Sequence, residues 1–188
     1  MVQIGIFTTY DVPSDDVIEK AKLVALKLVE KGCVIITGGD GGVMRVIAEE
    51  ARRRGGIVVG ILSYEIEEAN VNSALYNPFN TVEIRTGLTY SARSAIVARS
   101  SDAAIVIGGG AGTLTEVCMA YNMGIPLVVL EGTGMVADKL KSMFPSGYLD
   151  HRENVKLHFT KDPVEAVEIA YRLAVEKSFR RYRMAFRV

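Results

Sequence analysis

The sequence predicts a doubly wound α/β domain: one parallel sheet with helices on both faces. Three observations carry this. Apolar strand-like runs alternate with helical stretches over the whole 188 residues. The strands are continuous apolar runs rather than alternating ones, the mark of strands covered on both sides. At 49% apolar residues, a chain of one-domain length can bury a real core.

The elements follow in order. Residues 2–7 (VQIGIF) read as a strand. Residues 14–31 read as a helix, with Val17, Ile18, Ala21, Val24, Ala25, Leu28 and Val29 on one stripe at 3.6 spacing. Ser14 is placed to cap it and Gly32 to stop it. Strand 33–37 follows, then a helix to about 54 and strand 57–62. Residues 63–80 are irregular, acidic and then Asn-rich; a loop of that length is usually functional, and the alternative is a short helix at 64–75 without a role. A weaker strand at 81–85 precedes a helix over 88–100, strand 103–107, helix 113–123, strand 126–130 and a helix near 134–143. A short strand at 154–158 leads to a last helix, with Asp162 as cap and Pro163 in its first position.

Composition excludes several function classes. Lys+Arg and Asp+Glu are 22 each, which argues against a strongly basic nucleic-acid binder. The longest apolar runs, such as 125–130 (IPLVVL), are too short to span a bilayer, so no membrane partner is expected. The N-terminus lacks the basic and apolar regions of a signal peptide, and two cysteines make no disulfide framework, so a cytoplasmic setting is expected. His151 and His158 have no Cys or carboxylate at ligand spacing, so no metal site is expected. Cys118 has no base near it in sequence and reads as a small packed residue.

The glycines give the first pointer to function. Residues 36–42 read ITGGDGG and residues 106–112 read VIGGGAG, so that Gly38, Gly39 and Gly42 match Gly108, Gly109 and Gly112. Each segment leaves an apolar strand and enters a helix. In an open α/β sheet such turns lie at the carboxyl edge, where ligands bind. A helix start carries unpaired N–H groups and a partial positive charge, and glycine lets an oxygen approach the backbone, so a phosphate fits. The alternative is that the glycines only permit tight turns and close packing. The P-loop pattern is absent, and neither turn gives a dinucleotide fingerprint after the first strand, whose exit is FTTYD. Asp40 lies inside the first turn, where a carboxylate repels phosphate unless it points away. It either bonds a ribose or pterin or braces its own turn.

Residues 90–117 read YSARSAIVARSSDAAIVIGGGAGTLTEV. This resembles the LOG family of Rossmann-like nucleotide-binding proteins, the lysine-decarboxylase-like proteins. Its hallmark is P-G-G-x-G-T-x-x-E, preceded by an M-x-x-R-K helix. Gly108 to Glu116 match the first box except that Gly108 replaces the Pro. In the helix box Arg93 is present, whereas Tyr90 and Ser94 stand where the family has Met and Lys. Segment 38–44 also looks like the family's first glycine turn.

The resemblance implies hydrolysis of the N-glycosidic bond of a nucleoside 5′-monophosphate to free base and ribose 5-phosphate, without metal or cofactor. It implies Glu116 and Arg93 as the catalytic pair. Gly109, Gly110, Ala111, Gly112, Thr113, Gly39, Gly41, Gly42 and Ser94 would hold the phosphate and nucleotide. A branch whose box starts with three glycines includes carriers of the molybdenum cofactor, which bind a phosphorylated ligand without this chemistry; Gly108 and Ser94 pull toward it. A homodimer or higher homo-oligomer is also implied.

The chemistry is reasonable on physical grounds. A carboxylate stabilises an oxocarbenium-like sugar and takes a proton from the attacking water, and a guanidinium orients it or holds the ribose and phosphate. Spacing alone favours a different role: Thr113-x-x-Glu116 is also a capping box. Arg93, among small residues, could instead pair with a core carboxylate or a partner subunit. Arg99 lies about 240° round the helix from it and is taken as structural. The tail 177–188 carries five basic residues and no acid, and reads as a basic C-terminal helix extension of the single domain 1–188. Its cations suit a helix C-terminus, and its aromatics suit docking on the body or a second subunit.

Overall fold

The computed structural model describes residues 1–69 and 71–185, with side chains described through residue 177. Its centre is β1 (Gln3–Phe7), paired in parallel with β2 (Val34–Thr37) on one side and β5 (Ala103–Ile107) on the other. β3 (Ile57–Leu62) and β4 (Val82–Arg85) extend the sheet beyond β2. β6 (Leu127–Leu130) and β7 (Leu157–Thr160) extend it beyond β5. The order is β4-β3-β2-β1-β5-β6-β7, all parallel, as the continuous apolar strands predict. The chain therefore reverses its winding between β1 and β5, and that switch point opens a crevice at their carboxyl ends.

Among the described residues six helices lie between the strands and a seventh follows the last: α1 (Asp15–Glu30), α2 (Gly42–Arg53), α3 (Tyr64–Glu67), α4 (Tyr90–Arg99), α5 (Ala111–Asn122), α6 (Met135–Met143) and the final α7 (Pro163–Ala185). α1, α2 and α7 bury their apolar stripes on one face through Leu28, Ile47 and Val167, against Ile4, Ile6 and Ile105 of the sheet. α4, α5 and α6 cover the other face through Val97, Val117 and Leu140, against Phe7, Val106 and Val129. Ala25, Ala98 and Ala120 are fully buried, and small residues at such points let helices lie close to the strands.

Local signals act as read, with instructive departures. Gly32 takes φ +67° after α1, and Cys33 N–H donates to Leu28 O in a Schellman stop. Asp162 Oδ1 accepts from Val164 N–H at 2.7 Å and caps α7. Ser14 occupies the cap position of α1 without a side-chain cap bond. β4 is exposed along its whole length, because it is the sheet edge and no helix covers it. The last strand lies at 157–160 rather than 154–158, because pairing Leu127 with Leu157 and Leu130 with Thr160 fixes its register. Of segment 63–80 only residues 64–67 are α-helical. The tail continues α7 to Ala185; side chains of the basic extension past 177, and residues 186–188, lie outside the described residues.

Candidate ligand site at the carboxyl edge of the sheet

A cavity of about 400 Å³ lies at the switch point. Its walls come from the exit of β1 (Thr8 to Asp11), the exit of β2 (Gly38 and Asp40), the start of α4 and the start of α5.

α5 begins with Gly110 as cap, and Leu114 N–H is bonded to Gly110 O. The N–H groups of Ala111, Gly112 and Thr113 have no partner within the helix, because no preceding turn exists to supply one. Gly110, Ala111, Gly112 and Thr113 all line the cavity. A Cβ on Gly112 would meet nothing within 4 Å, so this turn is open to an incoming oxygen. Gly109 takes φ +85° and packs against Thr113; it shapes the turn from behind.

Thr113 does not cap its own helix. Its hydroxyl donates to Thr8 O at 2.9 Å and fastens α5 to the end of β1. The capping-box alternative is not formed, because α5 starts two residues earlier than the sequence suggests and puts Thr113 inside the first turn.

Glu116 follows one turn later, 7% exposed, and Ser94 Oγ donates to its Oε1 at 3.3 Å. Burial raises the Glu116 carboxyl to about 7, against the pull of Arg93 and the Ser94 hydrogen bond. Arg93 is also buried. Its guanidinium lies against the backbone of Gly38, where a Cβ would fall 2.0 Å from Nη1. That approach explains the glycine. Arg93 Nη2 is 3.6 Å from Asp40 Oδ2, so the cation pairs with Asp40. Burial raises Asp40 to about 7 as well, opposed by Arg93 and assisted by Glu65. Two buried carboxyls, Asp40 and Glu116, thus share the cavity wall with the Arg93 guanidinium and with Asp11 at the β1 exit.

The first glycine turn is built otherwise. A Cβ on Gly41 would lie 2.0 Å from Ala74 O; one on Gly42 would lie 2.4 Å from the Tyr10 carbonyl carbon; one on Gly39 would lie 2.3 Å from Leu62. Val43 N–H, at the start of α2, donates to Thr9 O at 3.3 Å. Asn80 and Asn77 side chains hold the carbonyls of Gly39 and Asp40 at 3.1 and 3.0 Å. Gly39, Gly41 and Gly42, expected to hold phosphate, are packed against other chain segments and are not among the residues that line this cavity, whereas Gly38 and Asp40 of the same turn are.

Sequence reasoning missed Thr8, Thr9, Tyr10 and Asp11, which carry no glycine or motif; the signal was their place at the exit of the central strand. It also missed Tyr90, whose ring lies 6.2 Å from that of Tyr10 and whose hydroxyl is pushed up to about 12, chiefly by burial. Arg99 is exposed on α4, away from the cavity. Among the described residues no cluster of His, Cys, Asp and Glu could hold a metal. No helix among them is long and apolar enough to cross a membrane.

A seven-stranded parallel sheet wound outward from a central strand, with its cavity at the switch point, defines the Rossmann-like α/β class. Comparison with known proteins gives the family. The profile of the SLOG cluster4 family matches residues 1–167, and the chain belongs to that family. An uncharacterized protein of Archaeoglobus fulgidus is 40% identical over 111 residues, covering 56% of this chain and 68% of its own length. The X-ray structure of TM1055 superposes with a TM-score of 0.81 at 32% identity, over 92% of this chain and 99% of that one. The molybdenum cofactor carrier protein of Chlamydomonas reinhardtii superposes with a TM-score of 0.73 at 26% identity, over 93% of this chain and 98% of that one.

Proposed function

We propose that this protein binds a small phosphorylated ligand, with the phosphate on the N–H groups of Ala111, Gly112 and Thr113, and cleaves the N-glycosidic bond of a nucleoside 5′-monophosphate. The observation that carries the reading is the buried Glu116, one turn from an open helix start and facing the charge of Arg93. The helix start supplies N–H donors and positive potential to a doubly charged ester. About one helical rise, ~5 Å, separates it from Glu116, which suits a sugar between the two.

The step balances simply. Water adds through its oxygen to C1′ of the sugar. The C1′–N bond breaks, and its electron pair leaves with the base, which takes up a proton. Glu116 accepts the proton that water gives up. A carboxyl near 7 is matched to proton transfer at neutral pH. Arg93 stabilises the carboxylate form of Glu116, Ser94 holds one of its oxygens, and the second oxygen is left for water. No metal is required by this scheme.

Release of free base from AMP and other monophosphates tests it directly. Base release lost in Glu116→Gln and Arg93→Ala, with phosphate binding retained, is the expected result. A second reading is a non-catalytic carrier or sensor. It is favoured by the likeness to the Chlamydomonas reinhardtii carrier and by Arg93 pairing with Asp40 rather than with Glu116. Tight binding of a monophosphate or of molybdopterin without turnover selects it. A homodimer in the cytoplasm remains the expected setting, and gel filtration with light scattering gives the oligomer number.

A further inference from the structure

The two edges of the sheet are finished differently. β7 is buried or half-buried along its length, and its Leu157 N–H donates to Gly147 O at 2.7 Å, so the chain before β7 covers part of that edge. β4, at the other edge, pairs with β3 alone. Among the described residues no other segment bonds to the main chain of Val82–Arg85, and all four residues are exposed. Val82 is 48% exposed and Ile84 45%. Tyr64 and Leu88, joined by a 2.7 Å bond from Tyr64 N–H to Leu88 O, add exposed apolar surface just past the strand's carboxyl end. An open edge of this kind is a template for another strand, and β4 carries neither the lysine nor the proline that often protects one. It carries one acid and one base, two residues apart.

That spacing fits a second copy of the same strand. In an antiparallel pair, opposing residues either both turn their main-chain groups toward the partner or both turn them away, and this alternates along the strand. When a strand pairs with its own copy, the two-fold axis must therefore pass through a residue and not between two. An axis through Glu83 sets two glutamates against each other, and one through Arg85 sets two arginines against each other. One through Val82 runs past the start of the strand. An axis through Ile84 sets Ile84 on Ile84, Val82 on Thr86, and Glu83 on Arg85 twice over. Among the described residues of one protomer neither charge has an ion-pair partner; Glu83 Oε1 accepts a long bond from Asn80 Nδ2 at 3.4 Å. We infer that β4 pairs antiparallel with β4 of a second copy of this chain, with the two-fold axis at Ile84, so that the sheet runs on through the dimer. This gives the expected homodimer a surface and a register. It is independent of the ligand reading, because no residue of β4 lines the cavity. Four paired residues a side lie below the roughly 1,200 Å² at which stable interfaces begin, so the dimer is a reversible one.

Sedimentation velocity over a concentration series tests it, on the wild type, Glu83→Arg, Arg85→Glu and the double exchange Glu83→Arg/Arg85→Glu. Melting temperature checks that each variant folds; both positions are exposed, and Asn80 keeps its bond to Gly39 O at 3.1 Å. The wild type is expected to pass from monomer to dimer as concentration rises. Glu83→Arg brings four cations together across the axis and Arg85→Glu four anions, and each is expected to weaken the dimer roughly tenfold or more. The double exchange restores both pairs and with them the wild-type affinity. An equimolar mixture of the two single variants is expected to dimerise as the wild type does, because every Arg then meets a Glu; a merely structural role of these residues would not give that rescue. A wild type that stays monomeric at every concentration overturns the inference. A dimer that none of the variants weakens, or that the mixture does not restore, overturns it as well, since the contact then lies on another surface.

Discussion

Two strand-to-helix turns in this molecule share three glycines in register and end in different structures. Around Gly39–Gly42 the chain is closed: Ala74, Tyr10 and Leu62 occupy the space where side chains would stand, and Thr9 O takes the Val43 N–H. Around Gly110–Gly112 it is open, with a side-chain methyl of Met135 3.7 Å from a Gly110 Cβ and nothing within 4 Å of one on Gly112. The first set of glycines serves packing. The second leaves backbone N–H groups facing a cavity. Glycine in a motif therefore reports that backbone must be reached closely, and says nothing about whether a ligand or another stretch of the same chain does the reaching.

The comparison can be broken by substitution. Gly41→Ala puts a Cβ against the Ala74 carbonyl, and Gly42→Ala adds strain at φ +57°. Each is expected to lose about 3 kcal/mol or more, roughly 6–12 °C in melting temperature for a chain of this size. Gly112→Asp sits in open space at a helix start, where a negative charge suits the helix and repels a phosphate. It is expected to melt at or above the wild-type temperature and to bind phosphate esters roughly tenfold or more weakly. If the two turns behaved alike in these assays, the distinction drawn between them would be wrong.

The pH dependence sharpens the same contrast, since Asp40 comes from the closed turn and Glu116 from the helix that the open turn begins. Both have native values of about 7, above their ordinary 3.8 and 4.5. The native state thus holds more protons than the unfolded chain between about pH 4 and about 7, and stability falls as pH rises through that window. Glu116→Gln is expected to flatten the fall and to gain on the order of 1–3 kcal/mol at pH 8, measured by denaturant titration, because it removes a buried charge. In the proposed reaction Glu116 acts as the carboxylate, so base release is expected to rise with pH around a midpoint near 7. Asp40 helps to raise Glu116, so Asp40→Asn should move that midpoint to lower pH. The smallest effect is expected for Thr113→Val, which removes the 2.9 Å bond to Thr8 O. It should cost about 1 kcal/mol, or roughly 2–4 °C in melting temperature.

Much of this was legible in the sequence. Continuous apolar runs gave the strands and the parallel sheet, and Gly32 and Asp162 marked helix ends through backbone chemistry that acts over a few residues. Glu116, Arg93, Ser94 and the second glycine turn were placed from their motif and do meet at one cavity. The β1 exit itself was legible, but its part in the cavity was not, because Thr8–Asp11 has no motif of its own and only the sheet order makes β1 the central strand. The bracing of the first turn was not legible either, since Asn77 and Asn80 lie 37 and 41 residues away from their partners.

Local periodicity and local hydrogen bonding set the helices, the strands and their layering, so those properties are carried by residues close together along the chain. The pairing of Arg93 with Asp40, the closing of one glycine turn and the opening of the other depend on residues tens of positions apart. Chain entropy hides such contacts from any local pattern until the sheet has fixed where each strand ends.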